Sequence, residues 1–236
     1  MISNISWYLS NDHPCPYFEN RNASNIFCQE ENLNAKSYEF LQEQGFRRSG
    51  TTFYKPQCKK CQDCIPLRIK AKGFKTSKSQ RKIRNRNSDL ITTWSVLKTD
   101  QEHLELYNLY QEAIHDGRMS ANEKSFLEMF SHKGYIVSEI QFRLNNKLIG
   151  VSIIDLGANS LSSVYFYYDP NFAKRSLGTF SVLIEIQSCI EKKIDYWYGG
   201  YAISNCQKMS YKTKFQPAEY FFNESWQKEL PSNFIV

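Results

Sequence analysis

No apolar run in this 236-residue chain reaches the roughly 18 residues that a membrane span requires. The opening segment, Met1-Ile2-Ser3-Asn4-Ile5-Ser6-Trp7, lacks both the charged n-region and the long apolar h-region of a secretory leader. A soluble, cytoplasmic protein without a membrane partner is expected. Histidine is scarce and scattered, four in all, which leaves Cys206 with no evident base. A packing role therefore suits Cys206 better than a nucleophilic one. The seven cysteines are odd in number and three are bunched. A reducing compartment fits them better than a disulfide framework does.

Acid is almost missing from one stretch. Between Arg47 and Arg86 there are fourteen Lys and Arg residues against the single acid Asp63. The rest of the chain holds 16 basic and 23 acidic residues, so the basic block is a local feature. A polyanion is its natural partner, although a solvated face has the same composition. Within it, Ser77 to Asn87 suits a basic helix or arm capped by Ser77 or Ser79. This segment has no aromatic residue to stack bases, so it is expected to meet a folded RNA backbone through Arg81, Lys82, Arg84 and Arg86.

Cys58-Lys59-Lys60-Cys61-Gln62-Asp63-Cys64 places three thiols at Cys-x-x-Cys-x-x-Cys spacing on a turn. Such spacing lets thiolates converge on one ion, and Cys15 or Cys28 can complete a set of four. The expected ligand set is Cys15, Cys58, Cys61 and Cys64, around a structural zinc or an iron–sulfur centre. Three reduced cysteines are the simpler alternative. Hydrophobic content of 41% supports a proper core, in one large domain or two small ones. The change of texture near residue 88 suggests two, 1–88 and 89–236.

The periodicities are local and clear. Residues 1–35 read as irregular, with Pro14 and Pro16 fixing an extended turn. Ala35–Gln44 reads as a helix stopped by Gly45, and Phe46–Tyr54 as a strand broken at Gly50. Ile65, Leu67 and Ile69 alternate with Pro66, Arg68 and Lys70, the period of a half-buried strand. Thr99-Asp100-Gln101-Glu102 is a capping-box pattern opening a helix, and Asn122–Ser131 is a second one. Strands at 135–144 and 147–154 flank an Asn145-Asn146 turn. A strand at 162–168, an amphipathic helix at 175–193 and a strand at 195–200 follow.

Tyr165-Phe166-Tyr167-Tyr168-Asp169-Pro170 runs into Lys174-Arg175-Ser176-Leu177-Gly178-Thr179. A strand end thus meets a helix opening, whose first N–H groups can hold a phosphate or an oxyanion. Asp169 is the candidate proton relay, and Arg175 and Tyr201 join it as catalytic candidates. The same Asp-Pro pair can also serve as a simple turn. Tyr168, Ser176, Leu177, Gly178 and Thr179 would receive the acyl donor. Lys208 and Lys212 lie four apart, so on a helix both face one way, with Tyr211 beside them. Tyr168, Trp197, Tyr198, Tyr201 and Met209 are candidate pocket linings, although most such aromatics belong to cores.

Hairpin, strand, helix, strand matches the core of the GNAT acyltransferase fold. Here Arg175-x-x-Gly178-x-Phe180 keeps two positions of that fold's coenzyme A signature and loses the last, which argues against coenzyme A. Four segments resemble the bacterial aspartate/glutamate leucyltransferases of the arginyl-tRNA–protein transferase family. They are Cys15-Pro16-Tyr17; Gln44 to Gly50 with Tyr54-x-Pro56-x-Cys58-x-x-Cys61-x-x-Cys64; Tyr167 to Pro170 with Lys174 to Thr179; and Gly200 to Pro217 around Lys208-Met209-x-Tyr211-Lys212. The resemblance implies an α+β chain, a small cysteine-containing N-terminal domain followed by a GNAT-like domain. It implies a monomeric cytoplasmic enzyme that moves leucine from leucyl-tRNA to proteins with N-terminal Asp or Glu and marks them for degradation. No cofactor would be required for catalysis, and the metal at the cysteines stays open. Lys208, Tyr211 and Lys212 would receive the acidic acceptor. An arginyl donor, a coenzyme A-dependent N-acetyltransferase and a non-catalytic RNA-binding module are the competing readings.

Overall fold

The computed structural model describes residues 5–235, apart from the side chains of Gln207 and Ser210. Residues 1–4, the start of the segment read for a leader, lie outside the described residues. In chain order come strands β1 (Tyr8–Leu9), β2 (His13–Pro14), β3 (Asn22–Ala23) and β4 (Asn25–Gln29), helix α1 (Ala35–Glu43), then β5 (Arg47–Ser49), β6 (Thr52–Pro56) and β7 (Cys64–Lys70). Helix α2 (Lys78–Arg86), β8 (Ile91–Val96), α3 (Gln101–His115) and α4 (Glu123–Phe130) follow. The remainder is β9 (Ile136–Leu144), β10 (Lys147–Leu156), β11 (Ser160–Tyr168), α5 (Leu177–Lys192), β12 (Tyr196–Ile203), α6 (Gln207–Ser210), β13 (Glu219–Phe222) and β14 (Ser225–Gln227). Among the described residues, no helix is long and apolar enough to cross a membrane.

Two sheets carry the fold. The larger has eight strands in the order β14-β13-β7-β12-β11-β10-β9-β8, and the smaller has four, β1-β4-β6-β5. Neighbours in the large sheet are antiparallel except β11 and β12, which run parallel across the α5 crossover. The Asn145-Asn146 turn works as its residues predict, both at positive φ, where Asn costs little. The β5–β6 turn needs Gly50 more strictly. It sits at φ +57, and a Cβ there would lie 2.3 Å from the carbonyl oxygen of Glu128.

Side-chain spacing places the helices. Leu177, Phe180, Leu183 and Ile186 recur along one side of α5 and are buried against the face of β10–β12 that carries Ile149, Ile154 and Trp197. Each such side chain stabilises by about 1.5–3 kcal/mol. The opposite face, through Val151, Ile153 and Tyr167, is covered by Tyr107 of α3 and Phe126 and Phe130 of α4. Asp100, not Thr99, caps α3 by accepting from the His103 N–H. A third cluster, Cys28, Tyr38, Leu41 and Phe53, lies under the small sheet.

The supposed boundary near residue 88 does not separate these cores. β7 lies upstream of it, yet sits inside the large sheet between β12 and β13. α2 also packs on α5. A composition change marks the basic run, whereas packing changes earlier, after β6. The first 35 residues are more regular than expected, because β4 pairs with β6 along its whole length. β7 is also more buried than alternation suggested, since it has paired strands on both sides.

Candidate active site

The parallel strands β11 and β12 are paired only over Ser160–Ser162 and Tyr196–Tyr198. Beyond that they diverge, β11 remaining with β10 and β12 with β7. The resulting fork leaves β11 carbonyls without ladder partners. Arg47 reaches in from β5 and supplies them. Its Nη2 donates to the Ser163 carbonyl at 2.6 Å, and its Nη1 to the Ser162 hydroxyl at 3.1 Å. Gly200, at φ +78, makes room for that guanidinium; a Cβ there would lie 3.1 Å from Arg47 Cζ. Gly200→Ala is therefore expected to cost about 1–2 kcal/mol from backbone conformation alone. Urea midpoints will report that loss, together with any from displacing Arg47.

Glu185 rises into the fork from α5 and is fully buried. It accepts from the Ser152 hydroxyl and, at 2.6 Å, from Trp197 Nε1. Burial pushes its carboxyl above the usual range, against the pull of the Ser152, Trp197 and Ser163 donors. Lys212 enters from the single-turn segment Tyr211–Lys214 and donates to the Tyr201 carbonyl at 3.3 Å. Burial, reinforced by the Arg47 charge, lowers its ammonium pKa to about 7, while Glu185 pulls the other way. Above the fork, Tyr110 packs against Tyr168 with ring centres 5.2 Å apart. Tyr165 is held beside them by Gln111, whose amide donates to its hydroxyl at 2.8 Å.

The α5 opening faces the same end of the fork, where β11 ends. Ser176 sits at φ 58 and no side chain caps the helix. The N–H groups of its first turn, Leu177, Gly178 and Thr179, have no partner within the helix. α2 is docked beside this opening. Its first turn is closed by a reciprocal Ser77–Gln80 capping box. Its far end is tied down by Arg86 to the Lys174 carbonyl at 2.8 Å and Asn87 to the Arg175 carbonyl at 3.0 Å. Arg81, Lys82, Arg84, Arg86 and Lys174 remain exposed there. Fixed cations next to open N–H groups form an anion-binding surface.

Two family models match the chain. One is described as "Arginine-tRNA-protein transferase, N terminus", over residues 13–82, and the other as "Arginine-tRNA-protein transferase, C terminus", over residues 102–222. The chain belongs to this family. A relative in Saccharophagus degradans, named aspartate/glutamate leucyltransferase, is 39% identical over 95% of this chain and 97% of its own. One in Hahella chejuensis with the same name is 36% identical over the same shares. Among solved structures, FemX superposes with a TM-score of 0.53 at 8% identity, covering 88% of this chain and 72% of its own. That likeness concerns the fold alone, which is α+β around one large mixed sheet.

In this arginyl-tRNA–protein transferase family member, several expected roles change. Asp169 is buried and accepts from both the backbone and the side chain of Asn171. It also pairs with Lys147 at 2.8 Å. Burial alone would raise its pKa, but Lys147 and the Asn171 N–H outweigh it and hold the carboxyl below its ordinary value. Through these contacts it anchors the turn. Arg175 is spent on a two-pronged pair with Asp89, at 2.8 and 2.9 Å, which locks α2 to the α5 opening. The Tyr201 hydroxyl points away from the fork to the carbonyls of Gly45 and Tyr54, at 3.2 and 3.4 Å.

Lys208 and Lys212 part company as well. α6 ends at Ser210 and a tighter turn follows, so the two are not aligned. Lys208 is exposed, and its charge helps burial to lower the pKa of His115 at the end of α3. Tyr211 lies inward, packed on the α5 core. Trp197 and Tyr198 are buried. Arg47 and Glu185 escaped notice in the sequence. Arg47 is one more cation in a basic run, and Glu185 one polar residue on an amphipathic helix. The paired glycines at 199–200 were the available signal of a close approach.

Cys15, Cys58, Cys61 and Cys64 do line one cavity, of about 110 Å³, together with Tyr17, Tyr54 and the Tyr201 ring. Cys28 does not; it is buried under the small sheet. Among the described residues, no three His, Cys, Asp or Glu side chains stand where they could hold one ion. The four thiols as placed therefore do not fit a tetrahedral site. Burial, then Cys61, Cys58 and Cys15, push the Cys64 thiol up to about 12, so it rests protonated.

Proposed function

We propose that the chain transfers leucine from leucyl-tRNA to the N-terminal amine of proteins beginning with Asp or Glu, marking them for degradation. Its relatives carry the name aspartate/glutamate leucyltransferase along nearly their whole length. The observation that carries the reading is the uncapped α5 opening, flanked by the exposed cations of α2 and standing over the fork. The phosphate nearest the charged 3′ end sits on the N–H groups of Leu177, Gly178 and Thr179, with Ser176 at the turn. Arg81, Lys82, Arg84 and Arg86 hold the backbone further out. The leucyl side chain lies against Tyr110, Tyr165 and Tyr168. Glu185, the carboxylate in the fork, is occupied by Ser152 and Trp197, which disfavours an arginyl guanidinium. Lys208, exposed beside the aromatic wall, receives the acidic side chain of the acceptor, and Tyr211 flanks it.

The chemistry is direct. An α-amine titrates near 7.7–8.0, so a useful fraction is neutral at cellular pH. The ester is activated, and no covalent enzyme intermediate is needed. Positioning can supply roughly 7–11 kcal/mol of such a barrier. The enzyme would act in the cytoplasm as a monomer. The deciding assay offers labelled leucyl- and arginyl-tRNA separately to peptides beginning Asp, Glu, Lys or Arg. Incorporation from leucyl-tRNA into the Asp and Glu peptides is expected. Incorporation only from arginyl-tRNA, or only into basic N-termini, would overturn the assignment.

A further inference from the structure

Lys212 is out of place for a binding cation. It is drawn into the fork and makes no ion pair among the described residues. The groups facing it come from three elements: Arg47 from β5, Glu185 from α5 and the Tyr201 carbonyl from β12. Glu185 is its natural counter-charge, yet that carboxylate is already taken up by Ser152 and Trp197. Tyr211, next in the chain, brings only a phenol near Glu185. An ammonium there loses solvent, meets a second cation and has a shared anion. The lost solvent and the second cation favour the free amine; the anion, shared with Ser152 and Trp197, opposes them without outweighing them.

We propose that Lys212 is the proton acceptor of the transfer described above, and this assignment rests on that reading. The neutral acceptor α-amine attacks the ester carbonyl, forming the new C–N bond. The nitrogen, now cationic, passes one proton to the Lys212 amine. The C–O bond to the ribose then breaks, and the departing oxygen takes that proton back from the Lys212 ammonium. The products are the amide and uncharged tRNA, and Lys212 is again neutral. The N–H groups of the α5 opening and the lysine thus address opposite needs, one holding negative charge and the other removing a proton. The Tyr201 carbonyl orients the amine by accepting one of its hydrogens.

The lowered value near 7 is what such a base requires, since its charge can change at cellular pH. A lysine that only attracted the acceptor's carboxylate would gain from a higher one. Arginine distinguishes the two roles, because it keeps the charge and the donors but does not give up a proton. Lys212→Arg and Lys212→Met are measured in single-turnover transfer from leucyl-tRNA to an Asp-initiated peptide. Both are expected to fall by about 10²–10⁴-fold, the usual worth of a general base. Leucyl-tRNA affinity should stay within about two-fold. Small primary amines added to Lys212→Ala should restore part of the rate.

The pH profile supplies an independent readout. A base acts unprotonated, so the wild-type rate should rise with pH through about 7. In Lys212→Met that limb should vanish, leaving only the titration of the acceptor's own amine. Lys212→Arg within five-fold of wild type would overturn the proposal, as would an unchanged profile in Lys212→Met. If the wild type fails with leucyl-tRNA and with every acceptor, the transfer itself is wrong. A working wild type with a working Lys212→Arg removes only the role of the lysine.

Discussion

Replacing Arg81, Lys82, Arg84 and Arg86 together by Glu is expected to abolish leucyl transfer while leaving the fold in place. All four side chains are exposed. Two of them donate only to backbone carbonyls, Arg81 to Thr76 and Arg86 to Lys174. The Arg86 tie is lost, but the Ser77–Gln80 capping box and the buried Asn87, bonded to the Arg175 carbonyl, still hold the helix. Exposed interactions of this kind contribute little to stability. Phosphate contacts are different, because each releases counterions when it forms. Four contacts contribute about 0.7–0.9 each to the slope of log affinity on log salt. The quadruple variant should therefore lose about three units of that slope and at least about 10²-fold in affinity. Fluorescence titration of leucyl-tRNA at several salt concentrations measures both. Transfer at the wild-type rate would show that this face meets no RNA.

Asp155→Asn should be the most destabilising single change of charge in the protein. Asp155 lies at the end of β10 with its side chain wholly buried against Arg48 of β5. Arg48 Nε reaches Asp155 Oδ2 at 2.6 Å, and the Tyr38 hydroxyl donates to the same oxygen at 2.8 Å. A further nitrogen of Arg48 donates to the Phe130 carbonyl at 2.7 Å. One ion pair thus joins the small sheet, α1, α4 and the large sheet. Removing the acid leaves a guanidinium stranded without solvent, at a cost of about 3–5 kcal/mol. Urea unfolding should show that loss. Arg48→Met combined with Asp155→Leu should recover much of it, since well-packed apolar replacements of buried pairs are often neutral or better. Folded Asp155→Asn should still bind leucyl-tRNA normally, because the pair is remote from α2 and the α5 opening. A loss below 1 kcal/mol would mean that the junction is held by apolar packing alone.

Neighbouring residues show how far the sequence could be read. Arg47 and Arg48 stand side by side in a basic run, where both count as phosphate ligands. Strand alternation sends one into the fork and the other into the buried pair. Arg68, from the same run, bonds Glu219 at 2.7 Å. The cations of α2 do remain exposed, as the Ser77 cap and the density of cations revealed. The α5 crossover and the Asn145-Asn146 turn were equally legible, because periodicity and positive φ are local properties. Glu185 and the inward turn of Lys212 were not. Their surroundings are assembled from β5, α5, β12 and the segment after α6, and no spacing along the chain encodes that meeting. The cysteines illustrate the opposite failure: metal-ligand spacing brought four thiols to one cavity without making them a ligand set.

The place of β7 between β12 and β13 has a consequence for synthesis on the ribosome. β7 is complete by Lys70, whereas its first neighbour begins at Tyr196, about 125 residues later. At 5–20 residues per second the wait is roughly 6–25 s. Throughout it, Ile65, Leu67 and Ile69 form an apolar strand with both edges bare, a template for pairing with another nascent chain. Lys59, Lys60, Arg68, Lys70 and Lys72 surround that strand with like charge, and like charge keeps two such strands apart. Part of the basic run thus protects the chain before there is a site for tRNA to enter.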